Sequence, residues 1–124
     1  MEIPLAQFAK IVGGNIGQIV KKVKMDIFLG VIRDTRVDTG RLRGNWQFSS
    51  GAEAAGESGR IDKTPQGSDG GAAQADVSSG VKADTVDYLT NNLPYAAVWE
   101  ERDGMIARNV ARIERDIKER IAQG

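Results

Sequence analysis

The sequence predicts an α+β domain in which a long N-terminal helix and a C-terminal helix pack on a small antiparallel sheet. Apolar residues recur every three or four positions near both ends of the chain, which predicts the helices. In two short central segments they partly alternate with polar residues, which predicts the strands. With 124 residues, 40% apolar and 27% charged, the chain is typical of a single globular domain, residues 1–124.

Residues 4–34 predict one long first helix. At 1.5 Å per residue it would extend about 46 Å, whereas a compact domain of this size is roughly 28 Å across. The helix is therefore expected to protrude, to bend near Gly13 and Gly14, or to pack on another subunit. Its apolar stripe consists of Phe8, Val12, Ile16, Ile19, Val23, Ile27 and Val31.

Two segments predict the strands. Residues 41–49 place Leu42, Trp46 and Phe48 on one face, and Gly44 between them indicates a bulge or a close approach of another backbone segment. Residues 84–90 predict the second strand from a similar partial alternation.

The segment between the strands predicts a flexible loop over residues 49–71. It is rich in Gly, Ser, Ala and Asp, and Ile61 is its only large apolar residue, so it cannot bury enough surface to order by itself. Residues 72–82 predict a short, weak helix that follows the loop. Its apolar side consists of Ala72, Ala75, Val77 and Val81.

The C-terminal part predicts a turn over residues 91–94, a short helix over 95–101 and a final helix over 105–122, with Asp103 as its N-cap. The final stripe is narrow, so this helix should pack along one seam, for which the first helix is a candidate partner. The stripe consists of Ile106, Val110, Ile113, Ile117 and Ile121.

Charge is segregated along a chain whose formal net charge is zero. Residues 21–43 carry a net +4, residues 44–104 a net −6 and residues 105–124 a net +2. Complementary patches of this kind either balance within one chain or steer head-to-tail contacts between copies. Both interpretations stay open from the sequence alone.

The composition disfavours enzymes and metal sites. The chain has no His and no Cys, which excludes disulfides, thiol nucleophiles, His-based triads and zinc-finger sites. The serines lie mainly in Gly-rich sequence that cannot hold a catalytic geometry. We expect no catalytic activity, no cofactor and no metal. The carboxylates that could suggest a metal cluster do not match calcium-loop spacing: Asp84, Asp87, Glu100, Glu101 and Asp103.

A small DNA-binding accessory protein is an alternative from a different class. A basic cluster runs through residues 21–43 and could attract phosphates. However, Asp26, Asp34 and Asp38 interrupt it, and no recognition-helix pattern is visible. Lys21, Lys22 and Lys24 also break the longest apolar stretch, so the sequence predicts no membrane span. The N-terminal residues MEIP lack a basic region followed by an apolar one, so no signal peptide is expected.

Two motifs carry a family resemblance. Residues 35–47 read TRVDTGRLRGNWQ and residues 89–100 read LTNNLPYAAVWE. Flanked by a long N-terminal helix and a C-terminal helix, and separated by a variable Gly/Ala-rich middle, they resemble the tail-completion (neck) proteins of tailed bacteriophages, the lambda minor tail protein Z-like family. One departure is the linker of residues 100–103, which is shorter than the linker of the family.

The resemblance implies a non-enzymatic virion structural protein, made in the host bacterial cytoplasm and placed at the head–tail junction. It implies a homo-oligomeric ring, a hexamer or a dodecamer, through whose lumen double-stranded DNA passes without sequence-specific contact and with no membrane involved. The implied neighbours are a head-closure or connector ring and a tail-terminator or tail-tube ring. A head-closure or tail-terminator ring of the same neck is the alternative within this class.

By residue match, the motif residues are expected to act as scaffold first and as interface second. Arg41 and Arg43 are further hypothesised to pair with carboxylates of a neighbouring subunit or to contact the next ring. Trp46 and Trp99 are each expected in the core, with an interface as the alternative. The remaining scaffold candidates are Asp38, Thr39, Gly40, Gly44, Asn91, Asn92, Pro94 and Tyr95.

Overall fold

The computed structural model describes residues 15–123, which form five helices and one two-stranded antiparallel sheet. The predicted α+β class is therefore confirmed at this level. In chain order the elements are α1 (Ile16–Arg33), α2 (Arg41–Gly44), β1 (Trp46–Ser50), α3 (Ala72–Gly80), β2 (Asp87–Asn91), α4 (Ala96–Asp103) and α5 (Met105–Gln123).

Helix α1 begins later than predicted, because Asn15 is its N-cap. Asn15 has extended backbone angles, its side chain accepts from the Gln18 amide at 2.8 Å, and its own amide donates to the Gln18 side chain at 3.2 Å. The prediction of one uninterrupted helix over residues 4–34 is therefore wrong, because a helix begins immediately after Asn15. The part of that prediction before Asn15 lies outside the described residues. At 18 residues, α1 is about 27 Å long, so its length no longer requires a neighbouring subunit.

Residues 41–44 form a helical turn, and the prediction of a strand there is wrong. The Gly44 amide donates to the Gly40 carbonyl and the Asn45 amide to the Arg41 carbonyl, both at 3.0 Å. Leu42 and Trp46, four residues apart, also share a face in a helix, so the apolar pattern fitted both structures. Strand β1 starts only at Trp46.

The sheet pairs β1 with β2 antiparallel, with Trp46 opposite Asn91 and Ser50 opposite Asp87. Strand β2 begins three residues later than predicted and ends at Asn91. Helix α3 packs on β1. Gly80 makes that close approach possible, because a Cβ there would lie 2.4 Å from Cε1 of the Phe48 ring.

The apolar sides of α3 and α5 differ in part from the predicted stripes. In α3 the buried apolar residues are Ala73 and Val77, and Ala72 and Ala75 are exposed. In α5 two predicted stripe residues, Ile106 and Val110, are exposed. The side of α5 that is buried consists of Met105, Asn109, Ile113 and Ile117.

Helix α5 packs mainly along α1, and the principal helical neighbour of the sheet is α3. The two long helices approach closely at Gly30, where a Cβ would lie 2.1 Å from Oδ1 of Asn109. One core joins all the layers. Its buried members include Val31, Ile32, Leu42, Trp46, Val77, Leu93 and Met105.

Residues 51–71 contain neither helix nor strand, so the predicted loop of residues 49–71 begins two residues later than expected, after β1. The loop is nevertheless tied to the domain by many hydrogen bonds. Arg60 donates to the carbonyls of Gly44 and Trp46, and the Ser58 hydroxyl also donates to Gly44. These contacts come from polar groups and backbone atoms, which the composition of the loop did not reveal.

Candidate interaction site

The two sequence motifs meet around one surface cavity of about 530 Å³. Helix α2 and the turn before it form one wall, and α4 forms the other. We call this the motif cavity. Arg36, Leu42, Val98 and Arg102 line it together with six predicted site residues: Asp38, Thr39, Gly40, Arg41, Tyr95 and Trp99.

Arg36 and Asp103 form the best-defined ion pair of the motif cavity. The Arg36 Nε and Nη2 atoms donate to the two Asp103 carboxylate oxygens at 2.8 and 2.9 Å. This bidentate hydrogen bond lowers the pKa of Asp103 and raises the pKa of Arg36. Asp103 ends α4 in this pair and is not the N-cap of the final helix.

The N-terminus of α5 is instead capped by Glu100. Its Oε1 accepts from the Ile106 amide at 2.8 Å and its Oε2 from the Ala107 amide at 3.3 Å. A carboxylate is favourable at this position because unpaired amides and the helix dipole converge there. Gly104, with φ of +61°, makes the sharp turn between the two helices and so brings Glu100 to that end.

Two arginines lie over the ring of Trp99. The Arg36 guanidinium carbon is 4.0 Å from the ring centroid and that of Arg102 is 5.5 Å away. A third guanidinium, of Arg41, lies 5.9 Å from the Tyr95 ring and pairs with Glu57 at 3.1 Å. A guanidinium is attracted to the face of an aromatic ring by the ring's quadrupole. The half-buried Trp99 is therefore held at the surface and not in the centre of the core.

The turn before α2 is fixed by Thr39 and Gly40. The Thr39 hydroxyl accepts from the Arg41 amide at 3.3 Å. Gly40 has a φ of +87°, and a Cβ there would lie 2.9 Å from the Asp62 carbonyl oxygen. Gly40 therefore meets both conditions that favour glycine, a positive φ and close backbone packing. Asp38 is exposed at the rim of the motif cavity.

Arg43 follows Arg41 in α2 but is fully buried and does not line the motif cavity. Its Nε donates to Asp62 at 3.3 Å and its Nη2 to the carbonyls of Ser68 and Gly70 at 2.9 and 3.0 Å, while Nη1 has no partner among the described residues. Arg43 thus ties α2 to the long loop. The hypothesis that it pairs with a neighbouring subunit does not fit this burial, whereas exposed Arg41 keeps that role open.

The carboxylate of Asp62 is held in its charged form. Burial acts to raise its pKa, but hydrogen bonds from Thr64 and the charge and hydrogen bond of Arg43 outweigh burial and lower the pKa below its ordinary value. Asp62 also lies against Gly71, where a Cβ would be 2.0 Å from Oδ2. Sequence reasoning missed Asp62, because nothing in a Gly-rich loop marks one carboxylate as buried.

Trp46 lies in the core, as predicted, and Gly44 lies close to the backbone of Arg60. Trp46 is buried, and its indole Nε1 donates to the Thr35 hydroxyl at 2.8 Å, so its polar atom is satisfied inside the core. At Gly44 a Cβ would lie 2.3 Å from the Arg60 carbonyl oxygen. The predicted close backbone approach at Gly44 is therefore confirmed.

The second motif joins β2 to α2 and to the long loop. The Asn91 side chain donates to the Leu42 carbonyl at 2.8 Å, and its carbonyl oxygen accepts from the Leu93 amide at 3.2 Å. The Asn92 side chain donates to two loop carbonyls, of Ala54 and Gly56. Pro94 is exposed in the turn that precedes Tyr95 and α4. These residues have scaffold roles in the structure.

The charge segregation is balanced largely within the chain. Five of the seven basic residues in 21–43 pair with carboxylates of the acidic middle segment. Within residues 15–123 no helix is long and apolar enough to cross a membrane, and no three carboxylates or other metal-binding side chains cluster. The five pairs are Lys24–Asp87, Arg33–Asp69, Arg36–Asp103, Arg41–Glu57 and Arg43–Asp62.

Comparisons of this chain with protein-family models, with curated proteins and with solved structures found no match. We therefore infer the function from the two motifs and from the geometry of the surface where they meet.

Proposed function

We propose that this chain is a non-enzymatic structural protein of the neck of a tailed bacteriophage, where it forms a ring that completes the tail and joins it to the head. The ring is a hexamer or a dodecamer in the virion, its partners are the adjoining neck rings, and DNA passes through its lumen. The proposal starts from the resemblance of the two motifs to tail-completion proteins.

One structural observation supports a docking role for these motifs. Residues 35–47 and 89–100 are distant in sequence, yet they converge on a single exposed cavity that combines two aromatic rings, three arginines and the exposed Val98. Tyr, Trp and Arg are the residues most enriched at energetically important interface positions. We assign the motif cavity as one half of the contact between neighbouring subunits.

The test compares two valine substitutions in light scattering over a concentration series. Val98→Lys adds a cation among three arginines at the motif cavity, whereas Val86→Lys makes the same change on an exposed side chain elsewhere. Val98 is 48% exposed and Val86 is 65% exposed, so neither change disturbs the core. We expect a closed ring for the natural chain and for Val86→Lys, and a monomer for Val98→Lys.

Two results would contradict the proposal. Ring formation by Val98→Lys as strong as that of Val86→Lys would exclude the motif cavity as the contact. A natural chain that stays monomeric alone and when mixed with the proteins of both the tail end and the head end would exclude the ring itself.

A further inference from the structure

Helix α5 carries a row of three arginines on one of its faces. Arg108, Arg112 and Arg115 follow one another at spacings of four and three residues, which places them side by side along the helix. With Asp34 and Ala111 they line a shallow cavity of about 380 Å³. We call these three residues the α5 arginine row.

The positive charge of this row is only partly offset within the described part of the chain, since Arg108 helps to lower the pKa of Asp103 and Arg112 lines a second cavity with Asp26 and Asp69. None of the three arginines makes a salt bridge there, in contrast to Arg33, Arg36, Arg41, Arg43 and Arg60. The one carboxylate that lines the cavity, Asp34, accepts a hydrogen bond from Asn109 at 2.9 Å and lies 4.0 Å from Arg33. The row therefore offers three guanidinium groups to an external anion.

The middle arginine is held in place before any ligand binds. Arg112 Nη2 donates to Oδ1 of the buried Asn109 at 2.9 Å. Asn109 is itself fixed, because its Nδ2 donates to the Met105 carbonyl at 2.7 Å and to Asp34. A side chain that is already oriented loses less entropy on binding.

We infer that the α5 arginine row binds the phosphate backbone of double-stranded DNA. The helix rises about 10.5 Å over the seven residue steps from Arg108 to Arg115. Along the same length of the DNA axis, one strand of a duplex presents about three phosphates, one for each roughly 3.4 Å. Three cationic groups on one helix face match that number, and each supplies the positive charge that a phosphate attracts. The row therefore contacts the backbone, independently of base sequence.

This inference deepens the proposed function and rests on it in one respect, since it makes α5 the helix that faces the DNA channel of the ring. A lipid surface is disfavoured, because interfacial helices place large apolar side chains beside their basic residues. Here the uncharged residue among the arginines is Ala111.

The experiment measures the affinity for a labelled DNA duplex of arbitrary sequence by fluorescence anisotropy over a range of salt concentrations. The variant R108Q/R112Q/R115Q removes the row. The matched control K63Q/K82Q/R120Q removes the same charge from exposed side chains that make no salt bridge within residues 15–123. A third variant, R108K/R112K/R115K, keeps the charge of the row.

The Gln variant of the row should bind DNA at least about tenfold more weakly at low salt. The slope of log K against the logarithm of salt concentration should be shallower by roughly 2.7, which is about 0.9 for each of the three lost phosphate contacts. The control and the Lys variant should stay within about threefold of the natural chain. No DNA binding by the natural chain, an equal loss in the control, or an equal loss in the Lys variant would each overturn the inference.

Two further measurements separate this inference from its alternatives. Vesicles of anionic lipid, bound through the row more tightly than DNA, would show a membrane surface and would also overturn the inference. The mass of each variant in light scattering reports the ring independently. A Gln variant that loses the ring together with DNA binding would show the row to be a subunit contact and would overturn the inference. If the chain binds DNA through the row but never forms a ring, the DNA-binding inference would stand and the neck proposal would be rejected.

Discussion

Arg43 is the residue that connects the long loop to the rest of the domain. Its guanidinium is fully buried, and all of its hydrogen bonds go to residues 62–70. A buried arginine of this kind leaves its partner carboxylate without compensation when it is removed. The anchoring of the loop should therefore depend on this one side chain.

Substituting Arg43 tests this dependence. Arg43→Gln should lower the free energy of unfolding by about 3–5 kcal/mol, because Asp62 stays buried without its cation. Arg41→Gln, which breaks an exposed pair with Glu57, should cost no more than about 1 kcal/mol. Urea denaturation of both variants provides the comparison, and equal losses would show that burial at Arg43 is not energetically important.

Asp87 should make the domain sensitive to acid. Burial acts to raise its pKa, but hydrogen bonds from Ser50, Thr85, the Lys82 amide and Lys24 outweigh burial and lower the pKa to about 2. In the unfolded chain the carboxyl group titrates near 3.8. Between these two values only the unfolded state takes up the proton, so lowering the pH favours unfolding.

The free energy of unfolding should therefore lose about 2 kcal/mol from Asp87 as the pH falls from above 5 to about 2. Asp87→Asn should be less stable at neutral pH, and its stability should change less over the same pH range. Urea titrations at several pH values measure both effects. Parallel pH profiles for the two proteins would assign the acid sensitivity to other carboxylates.

At the scale of elements, the close approach of α1 and α5 depends on glycine at position 30, which has no side chain. A Cβ at Gly30 would lie 2.1 Å from Oδ1 of Asn109 and 2.8 Å from Nη2 of Arg112. Asn109 is buried and hydrogen-bonded, so it cannot move aside freely. The two helices would have to separate to admit a methyl group.

A pair of glycine substitutions in the same helix tests this contact. Gly30→Ala should destabilise the domain by about 1–3 kcal/mol through overpacking. Gly17→Ala, also in α1, meets no atom closer than 3.3 Å and should change stability by less than about 1 kcal/mol. Thermal unfolding of both variants gives the comparison, and a neutral Gly30→Ala would mean that the interface adjusts without cost.

The elements differ in how well the sequence predicted them. Helices α1 and α5 were predictable because long stripes with a helical period have few alternatives. The segment 41–44 was not, since its short apolar pattern fits a strand and a helical turn equally. The start of α1 at Asn15 depended on a local capping box, and the cap of α5 by Glu100 depended on a tertiary turn at Gly104.

The candidate site was predictable in its members and not in its geometry. The motifs indicated Arg41, Tyr95 and Trp99, but their convergence with Arg36 and Val98 required the tertiary structure. The burial of Arg43 was equally hidden, because an arginine in a polar motif is ordinarily exposed. The charge balance between residues 21–43 and the acidic middle was one of two open interpretations, and five ion pairs within the chain now favour it.

At the scale of the whole molecule, these pairs and the continuous core indicate a chain that can fold without a partner, so folding should precede the proposed assembly. The monomeric Val98→Lys should unfold in one cooperative transition whose midpoint is independent of protein concentration. If the natural chain forms the proposed ring, its midpoint should rise with protein concentration, because assembly would stabilise the folded state by mass action. Denaturation at several concentrations checks this, and an unfolded Val98→Lys at neutral pH would instead make folding and assembly a single step.

The chain holds two indoles in contrasting surroundings, and this provides an internal optical reporter. Trp46 is buried with its Nε1 donating to Thr35, whereas Trp99 is half-buried with a guanidinium 4.0 Å from its ring. A soluble quencher such as iodide should therefore reach Trp99 and leave Trp46 emitting. In Trp99→Phe the remaining fluorescence would come from Trp46 and report on the core alone. The difference in fluorescence between this variant and the natural chain would report on docking at the motif cavity without any attached dye.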